Sequence, residues 1–235
     1  MDKRFDRTKN LIGEGAVQKL LSSKVAIFGV GGVGSFVAEA LARGGVGALD
    51  LYDSDKVDIT NINRQIIALE STVGKNKTDV MKERILDINP KSKVSSNVLF
   101  VTPSSSDKIC FDGLDYIVDA VDTVTAKIFL AEKASEYNIP IISAMGAGNR
   151  LDNQNFKVSP IEKTSGCPLA RVMRNELRKR NITGVKAVYS DKVPENITKN
   201  DAQNKTLISS ISFVPSVMGL IIAGEVIKDL IGWGK

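Results

Sequence analysis

Histidine is absent from this 235-residue chain. No Ser–His or Cys–His dyad, imidazole base or His-ligated zinc can therefore form within it. Cysteine occurs twice, as Cys110 and Cys167, which excludes a four-thiolate zinc site and any disulfide framework and fits a reducing compartment. The opening Met1–Asn10 is polar and charged, without a signal-peptide pattern, so the expected location is cytoplasmic. Long apolar runs are scarce. Residues 207–224 carry no charge, but Pro215 divides them and Glu225, Lys228 and Asp229 follow closely. A strand over Ile211–Val214 and a buried helix are expected there, rather than a membrane contact.

Hydrophobic residues make up 43% and charged residues 25%, the balance of a folded globular protein and not of a disordered or fibrous one. The length suits one large domain over 1–235 with a core that needs no staples. The net charge of +5 is unevenly placed. Residues 171–192 hold Arg171, Arg174, Arg178, Lys179, Arg180, Lys186 and Lys192 against Glu176 and Asp191, so the remainder is formally neutral. A basic island on a neutral body points to a polyanionic partner or to a solvated helix face.

Strand and helix patterns alternate along most of the chain. A helix over residues 10–22 leads in, with Leu11, Val17, Leu20 and Leu21 as its apolar positions. Strands are expected at Lys24–Phe28, Leu49–Tyr52, Val94–Val101, Tyr116–Val118 and Ile139–Ala144. Helices are expected at Ser35–Arg43, Lys77–Ile88 and Ala126–Tyr137. This order predicts an α/β fold, a doubly wound Rossmann-like and mostly parallel sheet. Its C-terminal extension has a strand near Phe156–Val158 and a basic helix over Leu169–Arg180, and residues 160–206 form a crossover region. Cys110 reads as core, and residues 190–205 as a polar loop.

Gly29-Val30-Gly31-Gly32-Val33-Gly34 places G-x-G-x-x-G between a strand and a helix. Such glycines let backbone N–H groups at a helix N-terminus approach phosphate closely. Asp53 follows at the end of the second strand, where a carboxylate can accept hydrogen bonds from ribose hydroxyls. A nicotinamide dehydrogenase would need such a loop and also a proton-transfer residue, which without histidine leaves Lys or Tyr. Arg64 and Lys77 add two cations and Asp122 a carboxylate at the same edge. A triphosphate with Mg2+ requires that combination, whereas a dinucleotide pyrophosphate does not.

The glycine loop, Asp53-x-Asp55-x-Val57, Asn61-x-x-Arg64-Gln65, Val73-Gly74-x-x-Lys77 and Asp119-x-x-Asp122 together resemble the ThiF/MoeB/ubiquitin-activating-enzyme superfamily. Its members adenylate carboxylates with ATP. The resemblance implies a cofactor site of Gly29, Gly31, Gly32, Gly34, Asp53, Asp55, Asn61, Arg64, Gln65 and Lys77. Asp53 would hold the ribose, and Asn61, Arg64 and Lys77 the phosphates with Gln65 in support. Asp122 would bind Mg2+. Arg64, Lys77, Asp122 and Arg7 are the candidate catalytic groups. Arg7, in Arg4-Phe5-Asp6-Arg7, resembles an Arg that reaches the neighbouring subunit's ATP, which implies a homodimer.

Within that superfamily the chain is similar to the tRNA threonylcarbamoyladenosine dehydratases. The similarity rests on Ala144-Met-Gly146-Ala147-Gly148, the segment from Pro168 through Arg180, Val188-Tyr189-Ser190 and Ser212-Phe213-Val214-Pro215-Ser216-Val217. It implies a tRNA partner, ATP-driven activation of a threonyl carboxylate, and ring closure by a group already on the nucleoside. Such chemistry needs no enzyme cysteine. Arg171, Arg174, Arg178, Lys179 and Arg180 would be the tRNA contacts. A sulfur-relay protein is a further candidate partner, and Cys167, before Pro168 at a helix start, reads either as the thiol such a relay would use or as an incidental small residue in a loop. The competing expectations are an adenylyltransferase for a ubiquitin-like sulfur carrier, a dehydrogenase, and a nucleotide-sensing adaptor.

Overall fold

A computed structural model describes residues 3–192 and 208–234. The N-terminal region forms α1 (Asp6–Ile12) and α2 (Glu14–Ser22). They are two helices where the periodicity predicts one, because Gly13 between them adopts φ 88° and leaves the helical region. Leu11 consequently points to solvent, while Val17 and Leu20 are buried.

Seven strands follow in the spatial order β3-β2-β1-β4-β5-β7-β6. They are β1 (Lys24–Phe28), β2 (Ala48–Asp53), β3 (Lys93–Val98), β4 (Tyr116–Asp119), β5 (Ile141–Ala144), β6 (Phe156–Pro160) and β7 (Lys186–Ser190). All pairings are parallel except β6 against β7. The alternating pattern thus yields the expected doubly wound α/β sheet. Strand β7, which sequence reasoning did not assign, enters between β5 and β6.

Helices α3 (Gly34–Gly44), α4 (Lys77–Ile88) and α7 (Phe213–Ile231) cover one face, and α5 (Val124–Glu136) and α6 (Pro168–Lys179) the other. Val37, Leu41, Met81, Ile85, Met218 and Ile222 fill the first core layer. Phe111, Phe129, Leu130, Met173 and Leu177 fill the second. Cys110 departs from the core expectation: it is exposed, beside buried Ile109 and Phe111.

The expected strand at Ile211–Val214 is also absent; α7 begins at Phe213 with Pro215 in its first turn. A missing N–H is harmless there, because the first helical N–H groups have no intrahelical partner. The uncharged run is thus one helix packed on α3, where Gly219 leaves space for Val33 and Phe36. Among the described residues no helix is long and apolar enough to cross a membrane. Most of the 190–205 loop lies outside the described residues.

Candidate nucleotide-binding site

Strand order reverses between β1 and β4, and open α/β sheets bind ligands at such a point, beyond the carboxyl ends of the strands. Gly29 follows β1 and packs on the backbone after β4. A Cβ there would come within 2.6 Å of the Ala120 carbonyl oxygen, and its φ of 88° also favours glycine. A Cβ on Gly34 would run into the Gly29 carbonyl. These two glycines therefore close the turn that aims the α3 N-terminus into a cleft of about 510 Å³.

Asp53, at the end of β2, fixes that turn. Its Oδ2 accepts the Val30 N–H at 2.7 Å and its Oδ1 accepts the Asp55 N–H at 2.9 Å. The carboxylate is oriented before any ligand arrives, with lone pairs left toward the cleft. Beside it Tyr52, Leu99, Val101 and Ala126 form an apolar end suited to a flat ring. Tyr52 stacks on Phe28 with centroids 4.6 Å apart. Burial, with Asp50 nearby, pushes its phenol up to about 12, so Tyr52 does not exchange protons near neutrality. That disfavours Tyr52 as the proton-transfer group of a dehydrogenase.

Residues 55–77 leave the sheet as an excursion closed at its base. Lys56 bridges Asn76, the Val57 N–H donates to the Lys75 carbonyl at 2.8 Å, and the Lys77 N–H donates to that of Asp55 at 3.0 Å. Asp58 caps a short helix at Ile59–Asn61 and occupies the Asn61 Oδ1. The excursion brings Asn61, Arg64, Gln65 and Lys77 to the cleft opposite the glycine loop. Arg64 donates to the Thr60 carbonyl at 3.0 Å and to Asn63 Oδ1 at 2.9 Å. No carboxylate pairs with it among the described residues. Buried Lys77 pairs with the exposed Asp55 at 2.7 Å. Gln65 is 6% exposed and its Oε1 has no partner, an unsatisfied acceptor of the kind a bound ligand or water completes.

Asp122 is exposed on the loop after β4 and lines the same cleft. Among the described residues no group of three or more acidic or cysteine side chains could hold a metal unaided. One carboxylate facing the glycine loop still fits Mg2+, which keeps waters and takes substrate phosphate oxygens beside one or two carboxylates.

Arg7 lies elsewhere. Phe5, two residues before it, packs on Gly45 beyond the far end of α3, and α3 is about 16 Å long at 1.5 Å per residue. Cys167, at the N-cap of α6, is buried in the second core layer, and neither cysteine lines the cleft.

Of the basic helix, Leu169, Met173 and Leu177 pack inward as the spacing requires. Arg171 and Arg178 stand exposed without an acidic partner among the described residues. Lys179 pairs with Glu176, and Arg180 with both Glu132 and Glu176. Arg174 does not join the exposed row. Its guanidinium donates to the carbonyl and the hydroxyl of Thr164, both at 2.7 Å.

One participant left no trace in the sequence reasoning. Lys127, on α5, is 1% exposed beneath the cleft and donates to Asp119 Oδ1 at 3.1 Å and to the Ala144 carbonyl at 2.8 Å. Asp119 also accepts the Ser143 hydroxyl, so it is a structural anchor for the loop carrying Asp122.

A family model described as ThiF family matches residues 5–235. The tRNA threonylcarbamoyladenosine dehydratase of Bacillus subtilis (strain 168) is 45% identical over 240 residues, covering 97% of this chain and 94% of that protein. The crystal structure of the Escherichia coli tRNA N6-threonylcarbamoyladenosine dehydratase in complex with ATP superposes with a TM-score of 0.89. It is 34% identical and covers 98% of this chain and 94% of its own. The AMP complex of that enzyme gives 0.88 with the same identity and coverage. A glycine-loop cleft at the strand switch point and a likeness spanning almost the whole length agree: the chain belongs to the ThiF family, on its tRNA threonylcarbamoyladenosine dehydratase branch.

Proposed function

We propose that this chain uses ATP to cyclise threonylcarbamoyladenosine beside the anticodon of tRNA, in the cytoplasm. The observation that carries the proposal is one cleft joining a ribose-ready carboxylate, the α3 N-terminus, two cations and Asp122. Adenine takes the apolar end at Leu99 and Val101, and the ribose hydroxyls donate to Asp53. The phosphates lie between the α3 N-terminus and the excursion. Lys77 and Arg64 offset their charge, and Asp122 would hold Mg2+, which supplies further neutralisation of the phosphate oxygens when bound.

The threonyl carboxylate attacks the α-phosphorus and pyrophosphate leaves. The acyl-adenylate is closed by a group on the same nucleoside, which expels AMP. Both nucleophiles belong to the substrate, so the protein's contribution is positioning and charge stabilisation. That is compatible with a chain lacking histidine and with two cysteines that do not line the cleft. Arg7 cannot serve its own cleft from the far end of α3. It is assigned to the cleft of a second subunit, making the active form a homodimer. Arg171 and Arg178 supply phosphate contacts to the tRNA, with Lys179 at their edge.

Pyrophosphate release from ATP, with modified tRNA and ubiquitin-like or sulfur-relay carrier proteins offered separately, tests the proposal. Release that depends on the tRNA supports it. Release that depends on a carrier protein replaces it with the adenylyltransferase function.

A further inference from the structure

Residues 208–210 run along the outer rim of the cleft and are fastened from two sides. Asn149, with φ 54°, donates its backbone N–H to the Ser209 carbonyl at 2.8 Å and accepts the Ser209 N–H on Oδ1 at 2.7 Å. Asn63 donates from Nδ2 to the Ser210 carbonyl at 3.1 Å. Asn63 belongs to the excursion that carries Arg64, and Asn149 to the loop after β5. The segment is therefore a bar between two walls. Ile208 and Ser210, at alternate positions, line the cleft, while the Ser209 backbone is taken up by Asn149.

Gly148 lies against this bar. A Cβ there would overlap Ile208 Cγ2. Gly148 is not among the glycines with positive φ, so its backbone does not demand glycine. The space that Ile208 occupies does.

Ile208 is 77% exposed. A branched aliphatic side chain held by its neighbours' hydrogen bonds at the rim of a polar cleft has an unmet apolar surface. Phosphates cannot meet it, and the nucleotide's ring has its own apolar end at Leu99 and Val101. The remaining flat apolar group in the reaction is the base of the second substrate.

We infer that the Ile208–Ser210 bar, resting on the function proposed above, positions the carboxylate-bearing nucleoside. Ile208 packs on the face of its base, Asn63 and Asn149 are positioning residues that hold the bar, and Gly148 is the space it needs.

The experiment compares Gly148→Ala, Ile208→Ala, Ile208→Leu and their combinations with the wild type. It measures KM for modified tRNA, kcat, and ATP affinity by calorimetry without RNA. Gly148→Ala is expected to raise KM about tenfold with ATP affinity unchanged within about twofold. Because Leu has no branch at Cβ, Gly148→Ala with Ile208→Leu should regain most of the loss. Added to Ile208→Ala, Gly148→Ala should do nothing further. Should Gly148→Ala fail to fold, Asn149→Gly keeps the backbone conformation accessible, cuts the side-chain tie, and should show the same KM increase. A wild-type KM in Gly148→Ala, or additive effects with Ile208→Ala, overturns the bar alone while RNA-dependent turnover stands. A wild type that neither binds nor turns over modified tRNA overturns the proposed function and the bar with it.

Discussion

Replacing Lys127 with Met leaves the Asp119 carboxyl buried without its cation. Both side chains are 1% exposed, so neither charge recovers hydration. Removing one partner of a buried pair costs about 3–5 kcal/mol, because the survivor is left uncompensated. Asp119 keeps the Ser143 hydroxyl and the Val121 N–H at 3.3 Å, which places the expected loss toward the lower end. For a domain of this size, about 2–4 °C is lost per kcal/mol, so a loss of about 3 kcal/mol should lower the melting temperature by roughly 6–12 °C. Lys127→Met with Asp119→Leu removes both charges and should recover much of the loss, giving a large favourable coupling energy in the double-mutant cycle. Differential scanning calorimetry of the four proteins is the assay. Since the pair anchors the loop bearing Asp122, the single variant should also bind ATP more weakly. A Lys127→Met melt within about 2 °C of wild type, or a double variant no more stable than the weaker single, would refute the assignment of this pair as a structural anchor.

Asp122→Ala should abolish pyrophosphate release and leave the melt unchanged, since the side chain is exposed and makes no hydrogen bond among the described residues; normal turnover would remove the metal assignment. Burial pushes the Glu39 carboxyl up, but hydrogen bonds from Arg84 (2.6 Å) and Arg43 (2.7 Å) outweigh it and hold the pKa below the usual 4.5. A lowered folded-state pKa adds stability above the unfolded value and loses it as pH falls through the folded one. Glu39→Gln should therefore cost about 1–3 kcal/mol at pH 7, with the gap to wild type narrowing in urea melts below pH 4.5. Arg171→Ala with Arg178→Ala should weaken tRNA binding uniformly and reduce the salt slope by roughly 2. Arg174→Ala should instead lower the melting temperature through loss of its Thr164 contacts, and an equal salt-slope effect would return it to the RNA face.

The parts of the fold legible in the sequence are those where one principle acts alone. The apolar runs at Lys24–Phe28 and Ile139–Ala144 have no competing periodicity, and Lys77–Ile88 is bounded by Pro90. Asp53 and Asp122 could be grouped because each sits at a strand end or just beyond, and Arg64 and Lys77 joined them through the spaced motifs between β2 and α4. What stayed hidden depends on partners far along the chain. Lys127 reads as a surface lysine until Asp119 and Ser143 close over it. Arg174 has the spacing of its exposed neighbours, but Thr164 offers it two acceptors. Phe213-Val214-Pro215 looks like a strand and a breaker, whereas Pro215 in a first turn is compatible with the helix that α3 packs against. Strand β7 has its apolar residues buried on both sides, and its place between β5 and β6 is set by a pairing no local pattern displays.

The open sheet has two margins, and each carries a feature that disfavours docking another strand. On β6 the Ile161 N–H turns inward to the Val185 carbonyl, so by alternation the Pro160 nitrogen faces outward, where proline has no hydrogen to offer. The opposite margin, β3, begins with Lys93, and Asn97 reaches from it back to the Leu51 carbonyl. Charge and proline are the devices by which sheet proteins resist growing edge to edge into aggregates. Contact between copies of this chain is therefore expected through helices and loops, and a partly unfolded form should be slower to template fibrils than its apolar central strands alone would suggest.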